Sequence, residues 1–325
     1  MRSKSECTDR RQNQRGFAAD RARARSFALC ATVIVGLLAV SMTAGCGSPS
    51  SGSTAAQPPT EKLRKQPLPG QTRVNPKDES VMAFIPGGEF VMGSDKGDED
   101  EKPAHKVKIK GFWLGIHEVT NKQFRRYIEE TGEYHPLFWD EDGYNDPNQP
   151  VVGITWLQAS GYCEWAGLRF PTEAEWEYAA AGGKQLEYPT ATGEINRDLA
   201  NYRGVEGRDK WDGPSPVGSF PPNPFGLFDM AGNAWEFTST VYKPYPSGAE
   251  GSRENLKKKR RMQVMRGGSW GFSVAYCRTT RRHRFESHLT YDYAGLRVAC
   301  DFDAGKWNKI AAALSKADQP ANSPK

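Results

Sequence analysis

Three times between residues 120 and 175 the chain writes Thr-x-x-Gln or Thr-x-x-Glu directly ahead of a run with apolar residues at helical spacing. In that pattern the threonine hydroxyl and the side chain three residues on each satisfy a backbone N–H that the first helical turn would leave bare. Thr120 and Gln123 open TNKQFRRYIEETG, with Phe124, Tyr127 and Ile128 on one face and Gly132 as the stop. Thr155 and Gln158 open TWLQASGYCEWAG, with Trp156, Ala159, Cys163 and Ala166 in line. Thr172 and Glu175 open TEAEWEYAAAGG, closed by Gly182 and Gly183. Few other long helices suggest themselves. The rest is strand-length pieces, VKIKGFWLG, QVMRGGSW and AGLRVAC, linked by loops rich in Gly, Pro and Asn. The expectation is a mixed α and β domain with a high loop fraction, and long loops in a compact domain need anchoring, often by bound ions.

The net charge of +5 is confined to one end. Residues 1–25 carry eight Arg and Lys against three acids, so everything beyond them sums to zero. A basic surface for nucleic acid is therefore not expected. After the basic stretch come the apolar run Phe27–Val40 and then SMTAGCGS, the pattern of a secretory signal peptide. Ala44 and Gly45 lead into Cys46 as in the lipobox of bacterial lipoproteins, in which that cysteine is acylated. The bland alternative is an uncleaved anchor, since Phe27–Gly45 is uncharged throughout. The expected organisation is a signal peptide over 1–45 with lipidated Cys46, a Ser/Pro/Gly tether over 46–80, a folded domain over 81–303 and a tail over 304–325. The expected location is the cell envelope, membrane-anchored and facing the periplasm or exterior. Cys163, Cys277 and Cys300 remain for the mature domain, an odd number for an oxidising compartment.

Several segments together resemble the formylglycine-generating enzyme (sulfatase-modifying factor) family. They are FVMGS at 90–94, EKPAHKVKIKGFWLGIHEVTNKQF at 101–124 and PVVGITWLQASGYCEWAGLRFPTEAEWEYAAAGG at 150–183, then GLFDMAGNAWEF at 226–237, RGGSW at 266–270 and AGLRVA at 294–299. They stand in family order. The resemblance implies an α+β fold: a single irregular, loop-rich domain of C-type-lectin-like type, with few helices and short strands. It also implies two structural calcium sites. One falls on Asn201, the carbonyl of Tyr202, Asp209 and the carbonyl of Trp211. The other falls on Asp229, the carbonyls of Gly232 and Ala234, and Glu236. Carboxylates mixed with carbonyls suit calcium, although by themselves Asp229 and Glu236 also read as turn caps.

In the oxidase members of the family, two cysteines after RGGS bind copper(I) and use oxygen to turn a sulfatase cysteine into formylglycine. Here the second of the pair is Cys277, and the first position holds Phe272, which cannot ligate copper. Ser269 and Trp235 are kept, whereas an expected asparagine is Tyr293. Cys277 and Ser269 stand as candidate catalytic residues, and Trp235, Trp270, Phe272 and Tyr293 as a substrate groove. Two readings of Cys277 follow: a buried structural thiol, or a redox or metal-binding thiol activated by neighbouring Arg278, Arg281 and Arg282. His283, Glu286 and His288 form a candidate replacement metal set, and Cys277–Cys300 is one disulfide open to the chain. SDKGDEDEKP, residues 94–103, reads as a solvated turn, and LKKKRR, residues 256–261, as a hairpin tip. Two functions follow. One is a membrane-tethered domain acting on an envelope protein or peptide, its copper chemistry short of one thiolate. The other is a lectin-like or structural lipoprotein that binds peptide, glycan or a partner protein.

Overall fold

The structure, a computed structural model, describes residues 66–246 and 262–305. The signal-like segment, Cys46, the LKKKRR stretch and the tail from 306 lie outside the described residues. Among the described residues no helix is long and apolar enough to cross a membrane.

The three capping boxes form as expected. Helices α1 (Asn121–Thr131), α2 (Trp156–Ala166) and α3 (Glu173–Ala180) start after Thr120, Thr155 and Thr172, each with both reciprocal bonds made. Gly132 and Gly167 end α1 and α2 in the left-handed conformation, which glycine adopts without steric cost.

The strands β1 (Thr72–Val74), β2 (Val81–Ile85), β5 (Phe112–Gly115) and β10 (Ala299–Asp301) make an antiparallel sheet in the order β1-β2-β5-β10. The first and last strands thus share one sheet. β1 lies in the stretch expected as tether, because Arg73 and its neighbours pair in register with Met82, so folded structure begins before residue 81. β3 (Gly88–Met92) and β4 (His105–Ile109) form a separate hairpin against α3. A third sheet runs β8 (His283–Glu286), β7 (Met262–Arg266), β6 (Trp235–Val241), β9 (Ala294–Leu296), with β9 parallel to β6. AGLRVAC, expected as one strand, is therefore two strands in different sheets. The break falls at Arg297, whose side chain turns fully inward.

Two apolar clusters make the core. One gathers Phe124, Tyr127, Trp156 and Tyr162 with Trp235, Phe237 and Phe285; the other gathers Phe112, Leu114, Trp176, Ala179 and Met230. β6 joins them, since Trp235 packs in the first cluster while Glu236 reaches Trp176 in the second. That strand, with the RGGSW turn after β7, sets up the candidate site.

Candidate functional site

Gly267 and Gly268 take φ of 103° and 79°, values that suit glycine. A Cβ on Gly268 would meet the Cys277 sulfur at 2.8 Å, and one on Gly267 would meet the Trp176 ring at 3.3 Å. The double glycine thus lets the turn close over the thiol. Ser269 follows, its carbonyl accepting from the Phe272 N–H, and a 3-10 turn over Val274–Cys277 returns the chain inward.

Cys277 is fully buried with Ala200 and Ala231, against Tyr188, Ile195 and Tyr202. Burial pushes its thiol up to about 12, against a smaller opposing effect of Arg197. At neutral pH it is a thiol, not a thiolate. Cys163 is buried, Cys300 half-buried, and all three cysteines are free, so the Cys277–Cys300 bond does not form.

The arginines after Cys277 face away to a different task. Arg278 makes a two-pronged pair with Glu101 at 2.8 and 2.7 Å, and Thr280 donates to the same carboxylate at 2.6 Å. Arg281 pairs with Asp98. Arg282 pairs with Glu173 at 2.7 and 3.0 Å, and Arg266 pairs with Glu177, whose other oxygen accepts the Gly93 N–H. Glu101, Glu173 and Glu177 are almost wholly buried. The acidic stretch 94–103 is largely exposed, as expected of a solvated turn, with Glu101 as its exception: that carboxylate is drawn inside by arginines from the far end of the chain. Asp98, Asp100 and Glu101 lie close enough together to suggest a metal. Arg278 and Arg281 already supply their countercharge.

Around Phe272 the chemistry is aromatic. Phe272 meets Tyr276 at 5.1 Å, Tyr293 at 5.0 Å and Trp235 at 5.7 Å between ring centres, all edge-on. His283 stacks on Trp235 at 5.1 Å, and Tyr291 stacks on Tyr293 at 5.0 Å. Phe272, Tyr293, Tyr276 and Tyr291 stay half-buried, so the cluster reaches the surface. The Trp235 indole N–H is buried without a partner, and so are the hydroxyl of Ser269, three residues before Phe272, and the Nε of Arg281, which packs over Tyr276. Trp270 belongs to a neighbouring cluster with Tyr144 and Phe138, and donates to the Asp292 carbonyl between the two stacked tyrosines. Of the expected groove residues, the structure therefore brings Trp235, Phe272 and Tyr293 into one patch and sets Trp270 beside it. The sequence did not place Tyr276, Tyr291 or His283 among the groove residues, His283 standing instead in the candidate metal set. Alternation along β8 places His283 and Phe285 on one side, a signal overlooked there. The His283–Glu286–His288 set is split. His283 is held in the aromatic patch, its basicity lowered by burial and by Arg281 and Arg284, while His288 and Glu286 are 3.6 Å apart on the surface.

The residues at this site do not fit the copper pair: one thiol is present, it is protonated, and a phenyl ring stands in the other ligand's place.

The expected calcium donors fall into two unequal groups. At the first, the Asn201 and Asp209 side-chain oxygens Oδ1 are buried without partners. Arg197 leans on the same group, donating to the Tyr202 carbonyl and, at 2.9 Å, to Asp209 Oδ2. Burial pushes the Asp209 carboxyl up, and the Tyr202 backbone N–H donates to its Oδ2 at 3.3 Å. At the second, both oxygens of Glu236 are engaged, by Arg297 at 2.7 to 3.0 Å and by the Trp176 indole at 2.6 Å. Asp229 lies nearby in left-handed backbone, φ 56°, with Oδ1 buried and unpartnered. Burial pushes its carboxyl up to about 6. Gly232 forms a bridge to Asn201, and Ala234 is buried at the start of β6. Arg197 and Arg297, both unanticipated, thus supply cations at both groups.

Residues 65–302 match the sulfatase-modifying factor enzyme 1-like domain. The serine/threonine-protein kinase pkn1 of Chlamydia caviae is 37% identical over 262 residues, which cover 74% of this chain and 39% of that protein. This chain thus spans about two fifths of the length of that relative. The formylglycine-generating enzyme of Bos taurus is 28% identical over 321 residues, covering 79% of this chain and 85% of that enzyme. Among solved structures, PvdO from Pseudomonas aeruginosa superposes with a TM-score of 0.61 at 28% identity, covering 73% of this chain and all of that one. With the match spanning 65–302, the chain belongs to the sulfatase-modifying factor enzyme 1-like domain family.

Proposed function

We propose that this protein is an exported, membrane-tethered binding protein that holds a segment of an envelope protein or peptide in its aromatic patch, without copper oxidase chemistry. The observation that carries this reading is the pair of unpartnered buried groups, the Trp235 indole N–H and the Ser269 hydroxyl, beside half-buried Phe272 and Tyr293. A buried donor without a partner costs about 1–3 kcal/mol, which an acceptor on a ligand, such as a peptide carbonyl, would offset. Apolar rings with a few fixed polar groups are the usual make-up of a binding site. Phe272 in the first copper position and a thiol held protonated speak against oxidation.

Calcium belongs to this proposal as a structural ion on Asn201 and Asp209, where the unpartnered oxygens support it. The export step rests on the basic and apolar N-terminal pattern that ends at Cys46. Labelling cells with an alkyne fatty acid tests it: Cys46→Ala should abolish the label, and an unchanged label would count against the anchor.

The binding reading is tested with an extended peptide of the sulfatase-motif type containing cysteine, titrated against the full chain by tryptophan fluorescence. Saturable binding that weakens about tenfold in Ser269→Ala, with folding intact, is the expected result. Absence of binding, or binding indifferent to Ser269→Ala, would sink the reading.

A further inference from the structure

A cleft of about 590 Å³ opens between β3, the turn after it, the C-terminal end of α3 and the segment Arg278–Thr280. It shares no lining residue with the aromatic patch. Its volume is that of a small-ligand site.

The lining is rich in neutral hydrogen-bonding groups: Ser94, Gln185, Thr279 and Thr280. Thr279 is 2% exposed, and its hydroxyl is buried with no partner. Its backbone is satisfied, the N–H by the Glu187 carbonyl and the carbonyl by Arg266. Thr279 lines the cleft, and its hydroxyl alone is left over for a ligand group to complete.

The charges of the lining cancel. Arg278 is committed to Glu101, and Glu177 to Arg266. Lys96 and Lys184 then face Asp95 and Glu187, two of each sign. Such a balance favours neither a polyanion nor a polycation. Phe90 adds an aromatic ring, braced on Tyr178 at 5.2 Å. A neutral sugar combines the matching features: a C–H face that packs on a ring and hydroxyls that give and accept hydrogen bonds.

We infer that this cleft is a second binding site, for a neutral saccharide unit, with Thr279 as its central polar contact and Phe90 as its platform.

The full-length protein is titrated by calorimetry with glucose, N-acetylglucosamine, cellobiose and chitobiose, with glucose 6-phosphate as a charged comparison. At least one neutral sugar should bind saturably. Thr279→Val should weaken that binding about tenfold, the loss expected for one hydrogen bond. The variant should fold as well as the parent, since it removes a hydroxyl that had no partner. Phe90→Ala should weaken binding further. Three results would overturn the inference: no saturable binding of any neutral sugar, tightest binding of glucose 6-phosphate, or a binding event that Thr279→Val leaves unchanged. Sugar binding lost in Ser269→Ala but kept in Thr279→Val would place the ligand in the aromatic patch and overturn it too.

Discussion

The two ends of the segment from Ser269 to Arg282 are built on opposite plans. At the C-terminal end, Arg278 and Arg282, with Arg266 beside them, reach buried glutamates on distant parts of the chain, and each glutamate is matched by a guanidinium. At the N-terminal end, Ser269 and the neighbouring Trp235 leave polar atoms bare, and Phe272 stays half-buried. The ends differ in charge pairing rather than in polar satisfaction, since the Thr279 hydroxyl and the Nε atoms of Arg266 and Arg281 are also buried without partners at the C-terminal end. Cys277 sits between them, fully buried.

The largest test of this contrast is on the scaffold side. Replacing Arg278 by Met leaves the Glu101 carboxylate buried without its two-pronged partner, and should cost about 3–5 kcal/mol in urea unfolding. Adding Glu101→Leu removes the stranded charge and should return a substantial part of that loss. If the double variant is no better than the single, Glu101 is not held by Arg278.

On the groove side, Phe272→Ala should cost less, roughly 2 kcal/mol for a half-buried ring. Peptide binding should fall more steeply than stability in this variant. A stability loss as large as that of Arg278→Met, with binding kept, would erase the distinction between the two ends.

Calcium gives a smaller effect. Chelation with EGTA should lower the melting temperature by a few degrees, since an ion bound only to the folded state stabilises it by mass action. Asn201→Ala should remove most of that sensitivity, whereas Glu236→Gln should leave the sensitivity in place at a lower starting stability. An EGTA effect abolished by Glu236→Gln alone would move the ion to the other group.

The smallest effect is one of pH. Burial, with Arg297 nearby, lowers His117 to about 4 from its usual 6.5. The unfolded chain therefore takes up a proton that the folded chain refuses. His117 leaves stability untouched above pH 6.5 and reduces it as pH falls from 6.5 towards 4. His117→Gln should flatten the stability profile in that window, read by urea midpoints at each pH. An unchanged slope would show that other groups carry it.

How much of this was legible in the sequence follows from how local each interaction is. The three helix starts were, because a capping box is complete within four residues. The incomplete copper pair was also plain, since Phe272 cannot be mistaken for a ligand. The burial of Glu101 within the otherwise exposed stretch at 94–103 was hidden because its partners lie about 180 residues further along, and composition alone cannot show that one carboxylate will be drawn inside. The environment of Cys277 was hidden for a similar reason. Neighbouring arginines suggested a lowered thiol pKa, but their side chains are committed elsewhere, and Gly268 and Ala200 decide the burial. Arg197 lies outside the family motifs, and Arg297, although within AGLRVA, gave no sign there that it would rest on the expected calcium donors.

The most direct measurement supplies the full-length protein with copper(I), oxygen and a cysteine-containing sulfatase-motif peptide, then follows the peptide by mass spectrometry. The account predicts that the cysteine stays unmodified, in the parent and in Cys277→Ser alike. Conversion to formylglycine by the parent, lost in Cys277→Ser, would show that one buried thiol suffices and that Cys277 is a catalyst rather than scaffold.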